Sequence, residues 1–136
     1  MSEQDRPKAP VAGLVYGEII YWGTVISAVI ALIGSVVNFV TTSNHILPSA
    51  LLSKIWQGQD VTRIWEDTVG ARPDGHWYLD YLATGDGLAT FGLAFGVFIV
   101  IPAIFGSAYV LFRGGDKFFA GVAAVAGLIT VGAMVV

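Results

Sequence analysis

IIYWGTVISAVIALIGSVVNFVT, residues 19–41, runs for 23 residues without an Asp, Glu, Lys or Arg. Two similar runs follow: LATFGLAFGVFIVIPAIFGSAYVLF, residues 88–112, and FFAGVAAVAGLITVGAMVV, residues 118–136. A helix rises about 1.5 Å per residue, so about 20 apolar residues cover the hydrocarbon core of a bilayer. A helix that is apolar all round has no favourable place in water. The sequence therefore reads as an all-α integral membrane protein, one membrane domain over residues 1–136, with three transmembrane helices at 19–41, 88–112 and 118–136. Residues 1–18 form a tail, 42–87 a long connection and 113–117 a tight turn. The first run is longer than the roughly 7–15 residues of a signal-peptide core and no small-residue cleavage pattern follows it, so it is expected to remain as an anchor.

Composition points the same way. The chain is 55% hydrophobic and 12% charged, with a mean hydropathy of +0.72, whereas soluble domains carry roughly 25% charged residues. A net charge of -3 with scattered Lys and Arg speaks against a nucleic-acid partner and against a polybasic lipid-binding segment. The absence of Cys excludes disulfides, thiolate chemistry, Cys-ligated iron-sulfur clusters and covalent c-type haem attachment.

Basic residues set the expected orientation. Arg6 and Lys8 in the tail and Arg113 and Lys117 in the turn lie on one side, while the longer segment 42–87 carries only Lys54, Arg63 and Arg72. The positive-inside rule then makes the N-terminus and the turn cytoplasmic and the long connection and C-terminus external, in a bacterial or archaeal cytoplasmic membrane.

The long connection is patterned. Pro48 suits the first turn of a helix, and Leu51, Leu52, Ile55 and Trp56 recur at helical spacing before Gly58. Asp60 is placed to cap a second short helix whose apolar face holds Val61, Ile64, Trp65 and Val69 and which Gly70 ends. Arg72-Pro73-Asp74-Gly75 spells a turn, Trp77, Tyr78, Tyr81 and Leu82 give a third apolar face, and Thr84-Gly85-Asp86-Gly87 caps the second span. These are short amphipathic helices at the membrane surface. Tyr21, Trp22, Trp56, Trp65, Trp77 and Tyr78 are the expected interfacial anchors.

The spans carry small residues suited to close helix contact. Gly23, Ser27, Ala31 and Ser35 recur every four residues on the first, and Gly92 and Gly96 form a GxxxG step on the second. Some of these faces serve packing within the chain; the surplus is expected to meet other membrane subunits. Pro102 should kink the second span, because it removes one backbone donor.

Groups able to do chemistry are few. Glu18 lies among Tyr16, Tyr21 and Trp22 and so reads as interfacial, and Asn38 is expected to bond across helices. His45 and His76, both in the long connection, are the candidate cofactor-binding residues, facing a lipid or the quinone or haem of a neighbour; the chain alone is expected to hold no cofactor. Asp74, His76, Asp80 and Asp86 match no metal-site spacing, so no metal and no catalytic residue is assigned.

From Gly92 to Val131 the chain has a Gly-rich span with Ile101-Pro102 in its middle, the turn Phe112-Arg113-Gly114-Gly115-Asp116-Lys117 and an aliphatic last span. This stretch resembles a family of small three-span bacterial membrane proteins that has no assigned activity. The resemblance implies the architecture and no function, and the long aromatic segment 42–87 departs from the family pattern. The expected role is a non-catalytic accessory subunit of a larger, respiratory or otherwise energy-transducing membrane complex, stabilising larger subunits or enclosing a cofactor, quinone or lipid site. The alternatives are a small homo-oligomeric channel or auxiliary transporter subunit, and a membrane enzyme using Asp74, His76 and Asp80.

Overall fold

The computed structural model describes residues 8–135; Arg6, with the rest of the tail before residue 8, and Val136 lie outside them. The described residues are helical with connecting turns: α1 (Val11–Val40), α2 (Pro48–Trp56), α3 (Val61–Val69), a 3-10 turn (Trp77–Leu79), α4 (Gly85–Phe98), α5 (Val100–Arg113) and α6 (Lys117–Val135). Three helical stretches, Val11–Val40, Gly85–Arg113 and Lys117–Val135, are long and apolar enough to cross a membrane.

The first helix starts eight residues before the expected span. Pro10 sets its beginning, with Leu14 N donating to Pro10 O at 3.1 Å, and Val11, Leu14 and Val15 continue the apolar pattern. Glu18 therefore sits inside the helix, where its carboxylate accepts from the Trp22 indole one turn later at 2.8 Å. The second stretch is interrupted by one residue, Ile99, between α4 and α5. Pro102 has no N–H to give Phe98, the last residue of α4, so the helical ladder fails one turn before the proline, not at the ring.

The contacts group into two compact units, residues 8–25 with 97–135 and residues 26–96. In the first unit, α5 and α6 pack as an antiparallel pair. Gly115, at φ 93°, is the left-handed residue that lets the chain reverse. Asp116 N donates to Leu111 O (3.1 Å) and Gly115 N to Phe112 O (3.3 Å), a Schellman closure of α5. Ala103 is fully buried, and Gly127 faces the Phe105 ring so closely that a Cβ there would lie 2.9 Å from it. Gly106 faces Ile19 of α1, and Gly23 of α1 faces Ile99.

In the second unit, α1 and α4 meet backbone to backbone in antiparallel register. Asn38 faces Gly85, Gly34 faces Ala89, Ala31 faces Gly92 and Ser27 faces Gly96. A Cβ on Gly92 would stand 2.5 Å from the Ala31 nitrogen, and the buried Ser27 Oγ donates to Gly92 O at 2.7 Å. The small-residue stripe is thus occupied within the chain. Ser35, expected on it, bonds back to Ala31 O of its own helix (2.8 Å), and Gly34 takes its place.

The connection between α1 and α4 folds as its residues direct. Pro48 opens α2. The Asp60 carboxylate accepts from Thr62 N (3.1 Å) at the start of α3, and Gly70, at φ 85°, closes it. Ile64 is buried under α3. Lys54 of α2 and Asp67 of α3 pair at 3.0 Å across the exposed side.

Candidate functional site

The second unit gathers its polar and aromatic residues around a cavity of about 300 Å3. The apolar wall comes from Leu51 and Ile55 of α2, Ile64 and Trp65 of α3, and Trp77 of the 3-10 turn. The polar end comes from Asn38 near the end of α1 and from Asp86 and Thr90 in the first turns of α4. Each wall is placed by a short-range signal: the proline that opens α2, the Asp60 cap that opens α3, and Thr84, whose Oγ1 accepts from Gly87 N at 3.2 Å and caps α4.

Asp86, two residues past that cap, ties the loop after α1 to α4. Its Oδ1 accepts from His45 N (3.1 Å) and Gly87 N (3.0 Å), and its Oδ2 from Ile46 N (2.8 Å). Two of these donors lie 40 and 41 residues away in sequence. Thr90 Oγ1 donates to the Asp86 carbonyl at 2.8 Å, which leaves its lone pairs free to accept. Asn38 contributes its backbone carbonyl to Asn44 Nδ2 (2.6 Å). The hydrogen bond across helices expected of its side chain is not made: Asn38 Oδ1 is buried without a partner. The reason is packing, since the residue opposite, Gly85, offers no side chain and comes too near for one. The polar end therefore presents acceptors: an amide oxygen, a carboxylate and a hydroxyl.

His45 stacks against Tyr81 (ring centroids 3.7 Å apart) and Trp77 (5.4 Å), and Trp77 meets the edge of Trp65 at 5.9 Å. This is a packed aromatic cluster, and its histidine stacks behind Trp77, the ring that lines the cavity. His76 is exposed, 6.3 Å from the Tyr78 ring, with its backbone N–H on Asp74 Oδ1 (3.2 Å). The two candidate histidines thus have different surroundings. Among the described residues no three or more His, Cys, Asp or Glu come together in a way that would hold a metal ion.

The six anchor residues divide. Trp56 is 89% exposed, and Tyr21 and Trp22, neighbours of each other on α1, are exposed as well. Trp65 and Trp77 turn into the cavity wall, and Tyr78 leads through Phe91 (6.5 Å) to Phe95 (6.3 Å) along α4. The sequence marked Trp65 and Trp77 as aromatic residues of an amphipathic segment but did not distinguish a lipid-facing ring from one that closes a cavity. The anchoring role of Asp86 had a signal too, an acidic residue just past a Thr cap, but its partners are backbone groups without sequence identity.

The comparisons with known proteins concern the chain more than the cavity. A protein of the archaeon Archaeoglobus fulgidus, named "Uncharacterized protein", is 33% identical over 97 residues, 70% of this chain. The aligned region spans 63% of that relative's length. No solved structure matches the chain. A protein-family model matches residues 12–136, which takes in the first helix, the connection and the C-terminal hairpin alike. On that match, over nearly its whole length, the chain belongs to the family the model describes.

Proposed function

We propose that this chain is a non-catalytic small subunit of a larger membrane complex, a scaffold and not a transport path or an enzyme. The observation that carries the reading is the contact of α1 with α4. Their backbones touch through Gly34, Gly85 and Gly92, with Ser27 bonded to a carbonyl, so no polar passage runs between the two helices. The outward surfaces of the spans are equally unsuited to water: Leu32, Ile33 and Val36 on α1, Leu93 and Val97 on α4, Leu128 and Ile129 on α6 are all exposed and apolar. A pore assembled from copies of these faces would be dry. Such faces suit lipid and the spans of larger subunits, where packing and not hydrophobic drive decides association.

The test is purification of the tagged chain in mild detergent, followed by a native gel and mass spectrometry of the co-migrating proteins. Other membrane proteins in fixed ratio are expected. A monomer, or a homo-oligomer with nothing else bound, overturns the reading and favours the channel alternative.

The orientation belongs to the same proposal: the turn at 113–117 cytoplasmic, the connection 42–87 external. Ser53 and Gly114 are both exposed and lie on these two segments. Ser53→Cys in intact cells should react with an impermeant maleimide, and Gly114→Cys only in inverted vesicles. The reverse pattern would invert the assignment.

A further inference from the structure

We infer that the cavity between α2, α3 and the adjoining ends of α1 and α4 binds a single-chain amphiphile with a primary ammonium head, the head at Asn38, Asp86 and Thr90 and the chain along Leu51, Ile55, Ile64 and Trp65.

Size comes first. At about 300 Å3 the cavity lies at the small end of the roughly 300–1,000 Å3 typical of ligand sites. That volume suits one alkyl chain. Its walls are aliphatic and aromatic, which favours an apolar body.

The head group follows from the donor and acceptor inventory. Asn38 Oδ1 is buried without a partner, and an orphaned acceptor costs free energy until a donor arrives. The Asp86 carboxylate accepts three backbone N–H groups and retains a lone-pair site, since two carboxylate oxygens offer about four. Thr90 Oγ1 spends its proton on the Asp86 carbonyl and retains acceptor capacity. Three acceptors call for three donors, and an ammonium group carries three where a hydroxyl carries one.

Charge agrees. Among the described residues no Lys or Arg lines the cavity, and the one described ion pair of the connection, Lys54 with Asp67, lies on its exposed side. Residues 42–87 hold six acidic side chains against three basic ones. A fatty acid would bring a second carboxylate beside Asp86, with only the Asn38 amide N–H groups to offset the repulsion, and is disfavoured on that ground.

The site lies wholly within residues 26–96 and does not depend on the subunit reading, so the two can fail separately. The experiment titrates the full-length chain carrying Trp22→Phe and Trp56→Phe in maltoside micelles with n-decylammonium, n-decanol and n-decanoate, following the fluorescence of the remaining Trp65 and Trp77. Decylammonium should give a saturable change about 10- to 100-fold tighter than decanol, the effect of charge-assisted hydrogen bonds, and decanoate none. Leu51→Phe fills the cavity and should abolish the change. Leu52→Phe, on the exposed side of α2, should leave it intact. Asn38→Leu removes the orphaned acceptor and should weaken binding about 10-fold while keeping helix content, so the proposal stays open to refutation even if Leu51→Phe does not fold. Equal affinity for amine and alcohol overturns the ammonium head. An unchanged response in Leu51→Phe means partition into the micelle only and overturns the site.

Discussion

Gly34→Ala should cost about 3 kcal/mol of stability, whereas Gly17→Ala in the same helix should cost nothing and add up to about 1 kcal/mol. The added methyl at position 34 would meet Ala89 Cα at 2.7 Å and the Leu88 carbonyl carbon at 2.8 Å. These are backbone atoms, so no side-chain rotamer can yield and the helices themselves must separate. Overpacking of a tight interior costs about 1–3 kcal/mol when side chains can adjust, and a rigid neighbour puts this site at the upper end. At Gly17 nothing lies within 4 Å, and only the ordinary gain of replacing a helical glycine remains. Unfolding in mixed micelles under increasing denaturing detergent, monitored by helix content, measures both. Equal effects from the two variants would mean that α1 and α4 do not pack as described.

That pair of residues also marks how far the sequence could be read. The three apolar runs were legible because length and hydropathy are properties of a single helix. The contact stripe was legible only in part. A strict step of four residues gives Gly23, Ser27, Ala31 and Ser35, but a helix has 3.6 residues per turn, so a four-residue step drifts around the axis. The residues that face α4 are Ser27, Ala31, Gly34 and Asn38, the alternation of four and three that keeps one face. Ser35 falls beside it. The apolar run begins at Ile19 because Glu18 precedes it, while the helix itself reaches back to Val11, with Glu18 held by the Trp22 indole one turn on.

The capping and turn signals around α2 and α3 were fully legible, since Pro48, Asp60 and Gly70 act on backbone within a few residues. The cavity was not. Its residues come from α1, α2, α3, the 3-10 turn and α4, and no local pattern states that Trp65 and Trp77 share a wall with Asn38. Asp86 stood among possible metal ligands in the sequence; in the structure its oxygens are engaged by backbone N–H groups.

Asp86→Ala is accordingly expected to loosen the connection without unfolding the spans. The change leaves His45 N and Ile46 N without their acceptor, and an unsatisfied donor costs about 1–3 kcal/mol. Both residues lie in the short loop between α1 and α2, so the chain can relieve the cost by opening that loop to water. The expected total is therefore about 2–4 kcal/mol, confined to residues 41–58 and visible as faster amide exchange at His45 and Ile46. Helix content of the three spans should be unchanged, because their own hydrogen bonds are untouched. Asp86→Asn keeps one acceptor oxygen and should fall between. The matched control is Lys54→Met, which removes the ion pair to Asp67. That carboxylate is more than half exposed, and such surface pairs contribute about 0–1 kcal/mol. Should Asp86→Ala and Lys54→Met raise exchange at residues 45 and 46 equally, the carboxylate does not hold the loop, and the polar end of the cavity would lose the residue that fixes its shape.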